Sequence, residues 1–98
     1  MSVVTEITIF PLGHESGLHK YVKQVVTRIS EFGYPYTVTA MGTIIETNTL
    51  DEALAVITAS YQTLEPFAQR VYCSATFDIT KSGQNRMESK VASVREEV

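Results

Sequence analysis

Hydrophobic and polar residues alternate along two long segments of the chain, residues 3–10 and residues 70–79. Successive side chains of a β-strand point to opposite faces, so this alternation is typical of a strand buried on one face. In the first segment that face carries Val3, Thr5, Ile7 and Ile9. In the second it carries Val71, Cys73, Ala75, Phe77 and Ile79. We therefore predict a half-buried strand near each end of the chain.

A third alternating segment, residues 34–46, predicts two short strands that fold back at Gly42. The pattern groups apolar Val38, Ala40 and Ile44 on one face. It groups Thr37, Thr39, Met41 and Glu46 on the other. The apolar face can join a core. The polar face is either solvated surface, a ligand site or a contact with a second subunit.

Two segments between the strands have apolar residues at helical spacing. Residues 16–32 predict a first helix with Ser16 as its N-cap and Gly33 as its stop. Residues 50–64 predict a second helix, preceded by the capping-box spacing of Thr49 and Glu52. The second helix is predicted to bury Ala53, Leu54, Ile57, Tyr61 and Leu64. Residues 87–98 predict a short terminal helix or a docked tail.

The element order βαββαβ predicts an α+β fold for residues 1–98 as a single domain. Right-handed crossovers favour a ferredoxin-like sandwich, in which two helices cover one face of a four-stranded antiparallel sheet. The other face then displays a mixed set of side chains, namely Glu6, Thr8, Phe10, Thr37, Thr39, Met41, Tyr72, Ser74, Thr76 and Asp78. This set is too rich in aromatic residues and threonine for inert surface, so we expect something to pack there.

Composition excludes several classes of protein. The net charge is −3 and the eight basic residues are scattered, which argues against nucleic-acid binding. No apolar stretch approaches the roughly 20 residues that span a bilayer. The single Cys73 lies in an apolar run, where we expect it to be buried, and one cysteine fits a reducing compartment. We therefore expect a soluble, cytoplasmic protein that contacts no membrane.

Candidate catalytic and metal-binding residues are few. His14 and His19 are the two histidines, and neither has a metal-ligand spacing, so no metal or other cofactor is expected. No G-x-S-x-G motif or phosphate loop occurs, so the residues do not support an enzyme. The carboxylate of Glu46, at the end of the hairpin, is either a ligand for an organic cation or an exposed strand residue.

Several motifs together resemble one family. They are Pro11-Leu12-Gly13 after the first strand, Ser16 followed by Tyr21-Val22, Tyr36 and the run Ala40-Met41-Gly42-Thr43-Ile44-Ile45-Glu46, Asp51-Glu52, Arg70-Val71 and Lys90-Val91 with Ser93-Val94. This set is similar to the thiamine-binding, MTH1187/YkoF-like family over nearly the whole chain. Ala40 and Thr47 depart from the family pattern, which more often has proline and glycine at these positions.

The resemblance implies a ferredoxin-like fold that forms homodimers or homotetramers through its sheets. It also implies a site near the subunit contacts that binds thiamine or a related hydroxymethylpyrimidine without turnover. The ligand-binding residues implied are Met41, Gly42, Thr43 and Glu46 in the pocket, Leu12 and Ser16 at its rim, and Phe10 and Tyr36 as aromatic faces for a thiazolium ring. The alternative is a structural or regulatory homo-oligomer whose polar sheet face serves subunit contacts alone.

Overall fold

A computed structural model describes residues 1–97, with the backbone alone at residues 15 and 97. Within this range the chain forms four strands, three α-helices and two short 3₁₀ turns. The strands are β1 (Ser2–Pro11), β2 (Tyr36–Thr39), β3 (Gly42–Thr47) and β4 (Val71–Thr80). The helices are α1 (Leu18–Ser30), α2 (Leu50–Leu64) and α3 (Arg86–Glu97), and the 3₁₀ turns are Glu15–Gly17 and Glu65–Phe67.

The sheet is antiparallel with the strand order β2-β3-β1-β4, which confirms the predicted ferredoxin-like arrangement. Helices α1 and α2 pack against each other and against β1 on one face. The core lies between these two layers and contains Ile7, Ile9, Val25, Ile29, Ile45, Val56 and Leu64. The predicted faces of β1 and β4 are correct. Each residue predicted on the inner face of β1 pairs with a residue predicted on the inner face of β4, as Ile7 does with Ala75.

Helix α3 lies on the opposite face of the sheet, against β1 and β3. The predicted terminal helix is thereby confirmed, although Val98 lies outside the described residues. Two helices therefore cover the face of the core, and a third covers part of the opposite face, where the sequence led us to expect that something packs. A groove of about 1040 Å³ remains between α3 and the sheet, lined by Met87, Val91, Val4 and Ile44 among others.

The hairpin corrects one predicted grouping. Val38 pairs with Thr43, and Thr37 pairs with Ile44. Ile44 therefore lies on the face of Thr37, away from Val38, and the prediction that it shares a face with Val38 is wrong. The physical reason is the turn at Ala40 and Met41. Such a turn pairs even-numbered with odd-numbered positions, so Ile44 joins Glu46 on the face of Thr37.

The helices correct two further predictions. Helix α1 begins at Leu18, after a 3₁₀ turn, and its N-cap is Gly17 rather than Ser16. The capping box of α2 is confirmed, but Leu54 and Tyr61 are 44 % and 43 % exposed. The buried face of α2 consists of Ala53, Val56, Ala59, Ser60 and Leu64. Small side chains let a helix approach a sheet closely, and α2 is apolar on more than one side, so its spacing did not single out this face.

Cys73 is exposed, which contradicts its predicted burial. It lies on the helix-covered face of β4, opposite Ile9. However, β4 is an edge strand, and α1 and α2 lie mainly over β1 and β3, so the outer side of β4 has little cover. Ile79, on the same face, is 47 % exposed for the same reason. Among the described residues, no helix is long and apolar enough to cross a membrane.

Candidate functional site

A pocket of about 190 Å³ lies between α1 and the tip of the β2–β3 hairpin. It exists because β1 is longer than its ladder with β3. That ladder ends at the pair Ile7–Thr43, whereas β1 continues to Pro11 and remains paired with β4. Beyond Ile7, the edge of β1 that faces the hairpin therefore has no strand partner within residues 1–97. Helix α1 covers the gap that results.

The walls of this pocket are mostly aliphatic. The lining residues are Val22, Val25, Val26 and Ile29 from α1, Ile7, Ile9 and Phe10 from β1, and Val38, Ala40 and Met41 from the hairpin, together with Thr8, Thr39, Gly42 and Thr43. None of them carries a charge. Polar interactions in such surroundings are stronger than in water because the local dielectric constant is low.

Two of the three threonine hydroxyls at the pocket hold the hairpin tip in place. The hydroxyl of Thr8 donates to the carbonyl oxygen of Met41 at 2.7 Å. The hydroxyl of Thr39 donates to the carbonyl oxygen of Gly42 at 2.9 Å and accepts from the amide of Met41 at 3.1 Å. The third, Thr43, is 7 % exposed, and its hydroxyl makes no hydrogen bond to another described residue. Thr43 is therefore the hydroxyl left for a ligand.

Gly42 allows the hairpin to approach β1 at this point. A Cβ atom on Gly42 would lie 2.6 Å from the carbonyl oxygen of Ile7 and 2.7 Å from the hydroxyl oxygen of Thr8. Both distances are far shorter than a carbon atom tolerates, and the first involves backbone. The floor of the pocket thus depends on the absence of a side chain at this position.

Of the eight residues expected to bind a ligand, Phe10, Met41, Gly42 and Thr43 line the pocket, although the ring of Phe10 stacks on Tyr72 on the other face of the sheet. Ser16 lies in an adjoining depression along α1. The other three are elsewhere: Leu12 is in the loop after β1, Tyr36 lines the groove beneath α3, and Glu46 is on the sheet face away from α1. Sequence reasoning missed the four aliphatic residues of α1, whose helical spacing signalled a buried face and nothing more specific.

Glu46 is a structural anchor for α3. Its side chain is 7 % exposed, and Oε2 accepts hydrogen bonds from the Ser2 hydroxyl at 2.7 Å and from the Arg86 amide at 3.0 Å. Oε1 accepts from the Met87 amide at 3.1 Å. The carboxylate therefore caps the first turn of the helix, where unpaired amides and the helix dipole favour a negative charge.

These contacts determine the pKa of the Glu46 carboxyl. Burial by itself raises that pKa, but the hydrogen bonds from Ser2, Arg86 and Met87 and the positive charge of Arg86 together lower it below its ordinary value. Asp78 on β4 completes the anchor, because it pairs with Lys90 at 2.6 Å and with Arg86 at 2.9 Å. The hydrogen bonds from Lys90 and Arg86 lower the pKa of Asp78.

The stability of the fold is expected to decrease in acid through these two carboxyl groups. Because their pKa values are lower in the folded chain than in the unfolded chain, they stabilise the fold above the unfolded values of about 4. This contribution is lost as the pH falls through the folded values. Urea unfolding between about pH 6 and pH 3 measures the effect. Glu46→Gln has no group to titrate here, so its difference in stability from the wild type should shrink as the pH falls; a constant difference would contradict the prediction.

His14 joins two loops rather than a metal site. Its Nε2 donates to the carbonyl oxygen of Phe67 at 2.7 Å, and its ring packs on Tyr21 at 5.0 Å. Tyr21 in turn contacts the ring of Phe67 at 5.5 Å. In the part of the chain that the structure describes, no group of three histidine, cysteine or acidic residues is placed to hold a metal ion.

Comparison with known proteins decides the family. Residues 5–95 match the sequence profile described as thiamine-binding protein. The chain belongs to the thiamine-binding protein family. A UPF0045 protein of Methanocaldococcus jannaschii is 32 % identical over 94 residues, which cover 96 % of this chain and 93 % of the relative. A UPF0045 protein of Methanothermobacter thermautotrophicus is 29 % identical, and the aligned residues cover 98 % of this chain and 99 % of the relative.

Solved structures of similar proteins agree with the fold of this thiamine-binding family member. The crystal structure of a hypothetical protein from M. jannaschii has a TM-score of 0.83 at 32 % identity and covers 97 % of both chains. A Thermotoga maritima protein, provisionally assigned to thiamine biosynthesis or salvage, has a TM-score of 0.85 at 25 % identity. It covers 97 % of this chain and 100 % of its own.

Proposed function

We propose that the pocket between α1 and the hairpin binds the pyrimidine ring of thiamine or of a related hydroxymethylpyrimidine and releases it unchanged. The observation that carries the proposal is a pocket lined by uncharged residues, with the largely buried Thr43 among them, in a chain of the thiamine-binding family. The Thermotoga maritima relative, assigned provisionally to thiamine biosynthesis or salvage, supports the same class of ligand.

The size of the pocket favours a single ring. An apolar cavity of about 150 Å³ is large enough to hold benzene. The pocket of about 190 Å³ therefore suits a six-membered ring with small substituents. The two rings of thiamine do not fit inside together, so a second ring would lie outside the mouth. Met41, which is 76 % exposed, stands at that mouth, and its thioether can pack against an aromatic ring.

The polar groups of the pocket suit an aminopyrimidine. Its ring nitrogens accept hydrogen bonds and its amino group donates them. The Thr43 hydroxyl does both, and the unpartnered edge of β1 beyond Ile7 offers backbone amide and carbonyl groups. Among the described side chains, the lining carries no carboxylate, imidazole, amine or thiol that could transfer a proton or attack a ligand. This supports binding rather than catalysis.

Self-association is the second part of the proposal. Strand β4 is an edge strand whose outer side is unpaired within residues 1–97, and such an edge readily pairs with another chain. Tyr72 on β4 is 49 % exposed and stacks on Phe10 at 5.1 Å, on the face away from α1 and α2. These features favour a homodimer or homotetramer. They also support the alternative in which this face serves subunit contacts alone and binds no small molecule.

Thr43→Val is expected to weaken binding of hydroxymethylpyrimidine about tenfold, because a buried polar group of the ligand loses its partner. Isothermal titration measures this change. Thr58→Val, on an exposed position of α2, is the matched control and should bind as the wild type does. If neither thiamine nor hydroxymethylpyrimidine gives heat or a thermal shift with the wild type at millimolar concentration, the proposed function is wrong. A Thr43→Val protein with altered mass in sedimentation and unaltered affinity would favour the subunit-contact alternative.

A further inference from the structure

We propose that the natural ligand of this pocket is a pyrimidine whose side arm carries a phosphate. The inference rests on the proposed function and narrows it. Its basis is the charge of the surface onto which the pocket opens. The pyrimidine ring binds among uncharged residues, and the phosphate-bearing substituent of the ligand extends toward a basic part of α1.

The pocket continues into an open depression of about 710 Å³ along α1. Val22, Val26 and Val38 line both spaces, so they form the passage from one to the other. The far side of the depression is formed by Ser16, Leu18, His19 and Lys23. A substituent that projects from the ring through this passage therefore reaches the ammonium group of Lys23, the imidazole of His19 and the hydroxyl of Ser16.

Among the side chains that the structure describes, the ionisable groups at this exit are basic. His19 and Lys23 also line the next depression along α1, together with Lys20, Gln24 and Thr27. No acidic side chain described by the structure lines either depression. Lys23 takes part in none of the ion pairs found among the described side chains, whereas Lys20 lies over the ring of Tyr21 at 5.7 Å. Lys23 is therefore the cation available to a ligand.

This arrangement disfavours a cation and favours an anion. The thiazolium of thiamine needs a negative partner, and Glu46, which was expected to supply it, lies on the other face and holds α3. A phosphate at the exit would instead receive charge-assisted hydrogen bonds from Lys23 and a hydrogen bond from Ser16. The preferred ligand is therefore neutral in its ring and anionic at its arm.

Isothermal titration with four compounds tests the inference on the wild-type protein. They are hydroxymethylpyrimidine, its phosphate ester, thiamine and thiamine monophosphate. The phosphate ester is expected to bind about tenfold more tightly than the free alcohol at about 0.05 M salt. Because the exit is exposed, this gain should fall to about twofold at roughly 0.5 M salt. Thiamine, with its cation and no phosphate, should be the weakest ligand of the four.

Lys23→Gln identifies the group responsible. This variant should lose most of the gain in affinity that the phosphate group confers, while its affinity for the free alcohol stays within about twofold of the wild-type value. Lys81→Gln changes the net charge equally but lies in the loop after β4, so it should keep the gain. Equal binding of alcohol and ester by the wild type, or a gain that survives in Lys23→Gln, would overturn the inference and leave the proposed function intact. Absence of binding by all four compounds would overturn both.

Discussion

Replacing Glu46 with alanine is expected to detach α3 from the sheet and to lower the free energy of unfolding by about 3 kcal/mol. The carboxylate is almost fully buried and accepts three hydrogen bonds, one from Ser2 and two from the first turn of α3. Alanine leaves these three donors without their acceptor. Buried donors that lose their acceptor cost more than the hydrogen bond itself contributed.

Urea unfolding gives the loss of stability, and hydrogen exchange at the amides of α3 shows whether the helix has detached. Glu46→Gln retains an acceptor oxygen and should lose about half as much. Glu6→Ala, an exposed carboxylate on the same face of the sheet, is the matched control and should change stability little. An unfolding midpoint for Glu46→Ala equal to that of the wild type would show that the anchor is unimportant.

The same variants separate the two roles considered for Glu46. As an anchor for α3, its replacement by glutamine changes stability and leaves affinity for a pyrimidine nearly unchanged, because the pocket is on the other face. As a ligand for a thiazolium cation, its replacement would reduce affinity for thiamine while hydrogen exchange showed α3 still in place. Titration of Glu46→Gln with thiamine and with hydroxymethylpyrimidine therefore distinguishes the roles.

Gly42→Ala is expected to be the second severe change, with a loss of about 2 to 3 kcal/mol in stability and at least tenfold in affinity for a pyrimidine. The new methyl group would stand 2.6 Å from the carbonyl oxygen of Ile7, which is backbone in the centre of the sheet. Relief of this contact requires the hairpin tip to move away from β1. The hydrogen bond from Thr8 to Met41 would then break and the floor of the pocket would open.

Gly33→Ala is the matched control for this variant. Gly33 has a φ of +80° but no atom within 4 Å of the added methyl group, so alanine there suffers backbone strain of about 1 kcal/mol without a clash. The difference between the two variants in urea unfolding therefore measures the steric part. If Gly42→Ala is no less stable than Gly33→Ala and binds a pyrimidine normally, the close approach of the hairpin to β1 does not shape the pocket.

Local chemistry in the sequence was sufficient for most elements of the fold. The alternation in β1 and β4 identified the inner and outer faces of both strands, because side-chain direction in a strand depends on position alone. The capping box at Thr49 and Glu52 marked the start of α2 correctly, since the hydrogen bonds that form it lie within four residues. The family motifs identified a hairpin tip that does contribute Met41, Gly42 and Thr43 to a pocket.

The pocket itself could be predicted in part. Met41, Gly42 and Thr43 were named from the motif, but the residues that α1 contributes, Val22, Val25, Val26 and Ile29, were not expected at a pocket. A helical stripe has the same spacing whether it packs against a sheet or roofs a cavity. The difference arises because β1 extends beyond its ladder with β3. How far one strand extends beyond its neighbour depends on their register, which neither sequence segment specifies by itself.

The sequence alone determined the order of the elements, their approximate bounds and the family. These follow from periodicity, capping and motifs, all of which act over short distances along the chain. Tertiary structure decided which surfaces are covered: it left Cys73 exposed at an edge strand, turned Ile44 away from Val38, and placed the Glu46 carboxylate against the first turn of α3. The physical reason is the same in each case. Burial and hydrogen-bond partners are supplied by segments far away in the chain, and no local pattern contains their positions.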